Sequence, residues 1–156
     1  MSRLTPGEVG EVEAIKELKA RYFRHLDTKN WPEWRKVFTD DVVARVDVTV
    51  SKLGEEGEAT PLPVGGDAFV AHISEFLKGI STVHHGHMPE ITLTGPDTAT
   101  GIWSMEDIVG PPGGRTMRGY GHYFEQYRKQ DGDWRIARLH IKRLRIDHTD
   151  PRPEGQ

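Results

Sequence analysis

Apolar residues recur at helical spacing in the first half of the chain and at alternate positions in the second half. Before Gly79 they return every three or four positions, as on the buried face of an amphipathic helix. The pattern predicts helices at residues 11–26 and 67–77, a short helix capped by Asn30, and a β-branched strand at 42–50. The connecting segments are expected to be a loose leader at 1–10, a turn at 39–41 and a long loop at 51–66.

After Gly79 the period is two, which is typical of strands with one buried face. Four strands are predicted, over residues 83–93, 98–109, 116–129 and 134–146. Short turns rich in glycine, proline and aspartate join them, so the strands should form an antiparallel meander. Helices followed by strands predict a single α+β domain over residues 1–147, with a disordered tail at 148–156.

Composition narrows the classes of protein. The 156 residues suit one domain with its own core, and the absence of cysteine excludes thiol catalysis and disulfide bridges. A net charge of −3 argues against nucleic acid as a partner. No apolar run reaches the length of a membrane span or forms the core of a signal peptide. We therefore expect a cytoplasmic protein without nucleic-acid or membrane partners.

Three of the eight histidines, His84, His85 and His87, lie within four positions. Histidine is the side chain most easily tuned to exchange protons near neutral pH, so this segment is the first candidate for chemistry. Strand alternation places His85 and His87 on one face and His84 on the other. The spacing alone does not decide which of the three histidines takes part in chemistry.

Two charged residues fall on predicted apolar faces. Asp107 shares a face with Trp103 and Met105, and Arg143 shares one with Leu139. A buried charge needs a partner, so these two residues either pair with each other or line a polar pocket. The alternative is that both lie at exposed strand ends, where alternation carries little meaning. The strand pattern leaves these readings open.

Asp27 is the third charged candidate. It lies at the C-terminal end of the first predicted helix, where the helix dipole disfavours a carboxylate. Aspartate also favours turns, and considered alone Asp27 is explained as a turn former.

Other chemistries have little support in this chain. The histidines lie in a strand without an HExxH or facial-triad pattern, so we expect no metal. There is no G-x-S-x-G nucleophile motif, and the glycines at 113–114 lack the Lys-Ser/Thr ending of a phosphate loop. Proton transfer between a histidine and a carboxylate is the chemistry that these residues favour.

Three stretches resemble bile acid 7α-dehydratase and, more distantly, scytalone dehydratase, which belong to the SnoaL-like branch of the nuclear transport factor 2 (NTF2) superfamily. They are residues 13–31 with Tyr22-Phe23-Arg24-His25-Leu26-Asp27, residues 84–107 with His84-His85-Gly86-His87-Met88-Pro89-Glu90-Ile91-Thr92, and residues 127–143. The resemblance implies a cone-shaped α+β barrel in which N-terminal helices pack on a curved, mostly antiparallel sheet. His85, Met88 and the long 51–66 loop depart from the pattern.

The resemblance also implies roles for individual residues. Tyr22 and Asp27 match a tyrosine and an aspartate that point into the pocket, and His84 matches the catalytic histidine. Asp107 and Arg143 match an acidic and a basic pocket residue, and Trp103 is grouped with them as substrate-binding. The superfamily implies no cofactor and a homo-oligomer, either a dimer or a trimer.

The expected activity is that of a cofactor-independent dehydratase. It would eliminate water from a small hydrophobic substrate, a hydroxylated polycyclic or steroid-like carbonyl compound, by acid–base catalysis with His84 and Asp27. An isomerase or polyketide cyclase would need the same base, and a non-catalytic ligand-binding or assembly domain would need none. These alternatives stay open at the level of sequence, because one fold hosts many activities.

Overall fold

The computed structural model describes residues 4–52 and 55–151 of the chain. Within these residues, three helices and five strands form an α+β arrangement. In chain order the elements are α1 (Pro6–Asp27), α2 (Trp31–Arg35), β1 (Phe38–Val50), α3 (Gly66–Phe76), β2 (Ser81–Gly95), β3 (Thr98–Gly110), β4 (Thr116–Gln130) and β5 (Asp133–Thr149).

The first helix begins earlier than the apolar pattern predicts. Thr5 caps it, accepting a hydrogen bond from the backbone N–H of Glu8 at 3.3 Å, while the Glu8 carboxylate accepts one from the Thr5 N–H at 2.7 Å. This reciprocal capping box satisfies donors that a helix start leaves unpaired, and Pro6 suits the first turn. The predicted loose leader at 1–10 is therefore wrong for residues 6–10, and residues 1–3 lie outside the described part of the chain.

The sheet has the strand order β1-β5-β4-β3-β2. Strands β2 to β5 form the predicted antiparallel meander, whereas β1 pairs in parallel with β5. The sheet is thus mixed, and within the described residues it stays open, with β1 and β2 at its two edges. The predicted turn at 39–41 is wrong, because β1 already begins at Phe38, opposite Ile136.

An aromatic core fills the space between the helices and the sheet. Tyr22, Trp34 and Phe38 are almost completely buried and contact one another at ring-centroid distances of 4.8 to 5.9 Å. Ring contacts of this kind add to the burial of apolar area. Phe76 departs from the prediction, since its side chain, expected on the buried face of α3, is 69% exposed.

The C-terminal strand is longer than predicted. β5 continues to Thr149, so the first two residues of the predicted tail at 148–156 are in the strand. Residues 152–156 lie outside the described part of the chain, and the prediction of disorder for them stays a prediction.

Candidate active site

A central cavity of about 370 Å³ lies between the helices and the concave face of the sheet. Its wall is mostly apolar, with contributions from α1, α3 and every strand, and its polar members include His84, Asp107 and Arg143. A space of this size with a few convergent polar groups is typical of a small-molecule site. A larger groove of about 610 Å³ lies beside Phe124 and His140, but it contains none of the predicted site residues.

His84 and Asp27 form a hydrogen-bonded pair at the edge of the central cavity. The His84 Nδ1 atom lies 2.6 Å from Asp27 Oδ1, and the His84 backbone N–H donates to Asp27 Oδ2 at 2.9 Å. The His84 side chain is 8% exposed and lines the cavity. Asp27 lies behind it and faces a second space, here called the surface groove, which Lys29, Trp31 and Lys78 also line.

The hydrogen bonds decide the charge state of Asp27. Burial raises the pKa of this carboxyl, but the side-chain and backbone donors of His84 and the hydroxyl of Thr82 outweigh it, so the pKa lies below its usual value. An ionised carboxylate only accepts hydrogen bonds, so Nδ1 of His84 must donate. In the neutral ring this leaves Nε2 unprotonated, which is the tautomer of a general base.

Asp107 and Arg143 pair with each other and also line the central cavity. The Arg143 Nη1 atom donates to Asp107 Oδ1 at 2.6 Å, and both side chains are at most 5% exposed. Asp107 lies directly opposite His84 in the β2–β3 register. A side chain at Gly119 would overlap both charged groups, so the glycine provides the space in which they meet. The pair thus puts a guanidinium in the same mostly apolar cavity wall as His84.

Tyr22 lines the same cavity from α1. Burial, together with the negative charge of Glu125, raises the pKa of its hydroxyl well above the usual value. The phenol therefore stays protonated and can donate a hydrogen bond to a ligand oxygen.

Trp103 lies elsewhere. Its indole N–H donates to the Tyr127 hydroxyl at 2.8 Å, and Tyr127 in turn donates to Glu125. The residue does not line the central cavity, so its predicted contact with substrate has no geometric support.

The Glu125 carboxylate also receives a buried lysine. Lys19 Nζ lies 2.5 Å from Glu125 Oε1 and 4.0 Å from the centre of the Tyr22 ring, and neither member of the ion pair is exposed to solvent. The prediction from sequence missed this pair. Lys19 lies four residues after Ile15 within the apolar stripe of α1, and Glu125 shares a strand face with Tyr123 and Tyr127. The signal that identified Asp107 was therefore present here too.

The remaining histidines of interest, and two polar residues near Asp27, lie at well-defined places around the site. His85 and His87 are exposed on the face of β2 opposite His84, as alternation predicts. His148, which was assigned to the tail, lines the central cavity together with Phe76. Thr82 and Lys29 were not predicted as site residues. The Thr82 hydroxyl donates to Asp27, and the Lys29 ammonium donates to the Thr82 hydroxyl.

Fold and site together define an α+β domain of the NTF2-like class, which encloses a small-molecule cavity. A model of the SnoaL-like domain matches residues 8–140, so the chain belongs to the SnoaL-like family. This confirms the predicted family and fold class. None of the helices in the described residues is both long enough and apolar enough to cross a membrane.

Relatives of known name are distant in sequence. The chain is 24% identical to Probable cyclase FGR4 of Gibberella zeae over 133 residues, covering 83% of this chain and 89% of the relative. A protein assigned as a scytalone dehydratase from Novosphingobium aromaticivorans has a TM-score of 0.73 at 20% identity, covering 98% and 99% of the two chains. The hexachlorocyclohexane dehydrochlorinase LinA-type3 of Novosphingobium barchaimii has a TM-score of 0.68 at 15% identity, covering 95% and 93%. At these identities the structures show a shared fold, and enzyme names recur among them.

Proposed function

We propose that this protein is a cofactor-independent lyase that eliminates water from a hydroxylated, carbonyl-containing polycyclic substrate. The observation that carries the proposal is the His84–Asp27 pair at the wall of an apolar cavity. A carboxylate that holds Nδ1–H leaves Nε2 as the base, and a positioned base contributes roughly 100- to 10,000-fold in rate.

A single histidine can carry out both proton transfers of the elimination. His84 Nε2 would take the proton from the carbon next to the substrate carbonyl and become an imidazolium, which Asp27 stabilises. The carbon–oxygen bond to the hydroxyl then breaks, a carbon–carbon double bond forms, and the imidazolium returns the proton to the leaving hydroxide as water. The Tyr22 hydroxyl and the Arg143 guanidinium would bind the carbonyl oxygen, where negative charge develops.

The cavity favours a polycyclic substrate. Its volume of about 370 Å³ and its apolar wall suit a fused-ring compound with few polar groups. A steroid or polyketide-like carbonyl compound fits this description.

We also propose that the protein forms a homo-oligomer of two or three chains and is located in the cytoplasm.

A cyclase is the second candidate function. It is favoured by the sequence relative named as a cyclase, and it would use His84 to form a carbanion that attacks a second carbonyl. An isomerase would use the same base. A non-catalytic ligand-binding domain would bind the same compounds without turning them over.

The test compares His84→Ala with His85→Ala and His87→Ala. The enzyme is incubated with β-hydroxy tetralones and with 3-oxo steroids that carry a hydroxyl β to the carbonyl system, and the conjugated product is followed by absorbance. We expect His84→Ala and Asp27→Asn to lose at least about 100-fold in kcat. The two control variants, which remove exposed histidines of the same strand, should keep wild-type rates.

Full activity in a folded His84→Ala variant would overturn the proposal. A cyclised product from an acyclic polyketone, with no turnover of the hydroxy ketones, would favour the cyclase. Tight binding of these compounds without turnover by the wild type would favour the binding domain.

A further inference from the structure

The end of α1 has an unusual residue at a position that favours glycine. The backbone N–H of Asn30 donates to the His25 carbonyl and that of Lys29 to the Leu26 carbonyl, which is the bonding pattern of a Schellman motif. The residue after the cap in this motif adopts a left-handed conformation and is usually glycine, because other residues are strained there. Here it is Lys29, with φ of 58°.

The Lys29 side chain turns back toward the catalytic pair. Its ammonium donates to Thr82 Oγ1 at 2.6 Å and to the Leu26 carbonyl at 3.3 Å. Thr82 then lies 2.9 Å from Asp27 Oδ1, the same oxygen that faces His84 Nδ1. The left-handed Lys29 thus has its ammonium beside Thr82, at the start of β2.

The direction of these bonds is fixed by their chemistry. A lysine ammonium only donates, so Thr82 Oγ1 accepts from Lys29. The single hydroxyl proton of Thr82 must then be the one that reaches Asp27. The carboxylate accepts this bond, the His84 Nδ1–H bond and the His84 backbone N–H bond. Three donors from two residues of β2 therefore hold the carboxylate in one orientation.

We propose that Lys29 and Thr82 are positioning residues, which hold the Asp27 carboxylate in line with His84 Nδ1. This inference rests on the proposed function, since it concerns how the same base is oriented. It also explains the strained lysine: the ammonium is needed at this place, and glycine would give a better helix end without it. Neither residue is expected to touch the reacting atoms, although Thr82 borders the central cavity.

Substitutions at Lys29 separate positioning from backbone stability. Lys29→Gly relieves the left-handed strain and removes the ammonium, so we expect a melting temperature equal to or above the wild type with a loss of roughly tenfold in kcat. Lys29→Met should lose the same activity. Asp131→Gly is the matched control, because Asp131 is an exposed residue with φ of 55° in the β4–β5 turn. It should show the gain in melting temperature with unchanged kcat.

Substitutions at Thr82 test the hydroxyl itself. Thr82→Val keeps the shape and removes the hydroxyl, so kcat should fall roughly tenfold with little change in KM, whereas Thr82→Ser should restore activity. Lys78→Met removes a different ammonium from the surface groove and should have no effect.

A measurement on the substrate-free enzyme makes the inference independent of turnover. Nitrogen-15 NMR of the His84 ring should show a slowly exchanging Nδ1 proton in the wild type. We expect it to broaden or disappear in Lys29→Gly and Thr82→Val and to persist in Asp131→Gly. An unchanged Nδ1 proton in both site variants, or wild-type kcat in Lys29→Gly, would overturn the positioning role. Full activity of His84→Ala would instead overturn the proposed function, and the NMR result would still decide the positioning role.

Discussion

At the scale of single residues, Asp27 shows how hydrogen bonds determine the charge of a half-buried carboxyl. Desolvation favours the neutral acid, and the donors of His84 and Thr82 favour the carboxylate and prevail. The same bonds fix the ring tautomer of His84. The functional state of the pair is therefore a consequence of its surroundings, which include residues far from it in sequence.

Asp27 should make stability depend on pH. Its pKa in the folded protein lies below the ordinary value of 3.8, so its contribution to stability is fully present above that value and is lost as pH falls through the folded pKa. The free energy of unfolding of the wild type should exceed that of Asp27→Asn at about pH 5, and the difference should shrink toward about pH 2. Urea unfolding across this range measures it. A difference that grows on acidification would contradict the assignment, and Asp97→Asn in the exposed β2–β3 turn is the control.

Individual site residues could be predicted from sequence where a local pattern marked them as unusual. Asp107 and Arg143 stood out because each is a charge among apolar residues of one strand face, and the structure pairs them. Thr82 and Lys29 had no such signal, because their role depends on contacts between residues 53 positions apart. Trp103 was placed at the site by resemblance, and its indole instead completes the network around Glu125.

At the scale of elements, α1 contributes Tyr22 and Asp27 to the site and is fixed to the sheet by a buried ion pair. Lys19 of α1 reaches Glu125 of β4, and its ammonium lies 3.4 Å from the centre of the Tyr123 ring. Burial lowers the pKa of Lys19 to about 8, and the charge of Glu125 opposes that shift. Tyr22 packs one turn further along the same face, so the position of its hydroxyl depends on this attachment.

Breaking this ion pair on one side should be far more harmful than removing both charges. Lys19→Met leaves the Glu125 carboxylate buried without its cation, which should cost about 3–5 kcal/mol of unfolding free energy. The double variant Lys19→Met with Glu125→Gln should recover most of that loss, because no uncompensated charge remains. Urea unfolding of the two single variants and the double variant gives the coupling energy. Losses that simply add would show that the two residues act independently.

Elements were predictable where their signals are local. The meander of β2 to β5 follows from alternation and short turns, and the strand bounds differ from prediction by three residues or fewer. The parallel pairing of β1 with β5 joins residues 93 (Val50 with Arg143) to 98 (Phe38 with Ile136) positions apart, and no local pattern encodes it. The early start of α1 was missed because Thr5 and Glu8 cap it without extending the apolar stripe.

At the scale of the whole molecule, the strand order gathers the site from distant parts of the chain. Tyr22 comes from α1, His84 from β2, Asp107 from β3 and Arg143 from β5, and the curved sheet with its helices encloses the space between them. The core is thus packed around an apolar cavity that a ligand can fill. A ligand that binds only the folded state stabilises that state by mass action.

A fused-ring ligand should therefore raise the melting temperature. At a concentration about 100 times its Kd it adds about 2.7 kcal/mol, which for a domain of this size corresponds to roughly 5–10 °C. We expect this shift with a 3-oxo steroid or a tetralone in differential scanning fluorimetry. Val109→Trp should abolish it, because Val109 lines the cavity and the larger ring occupies the ligand's place. Val83→Trp, the same change at an exposed position of β2, should keep it. An equal shift in both variants would place the ligand outside the central cavity, and the proposed polycyclic substrate would lose its site.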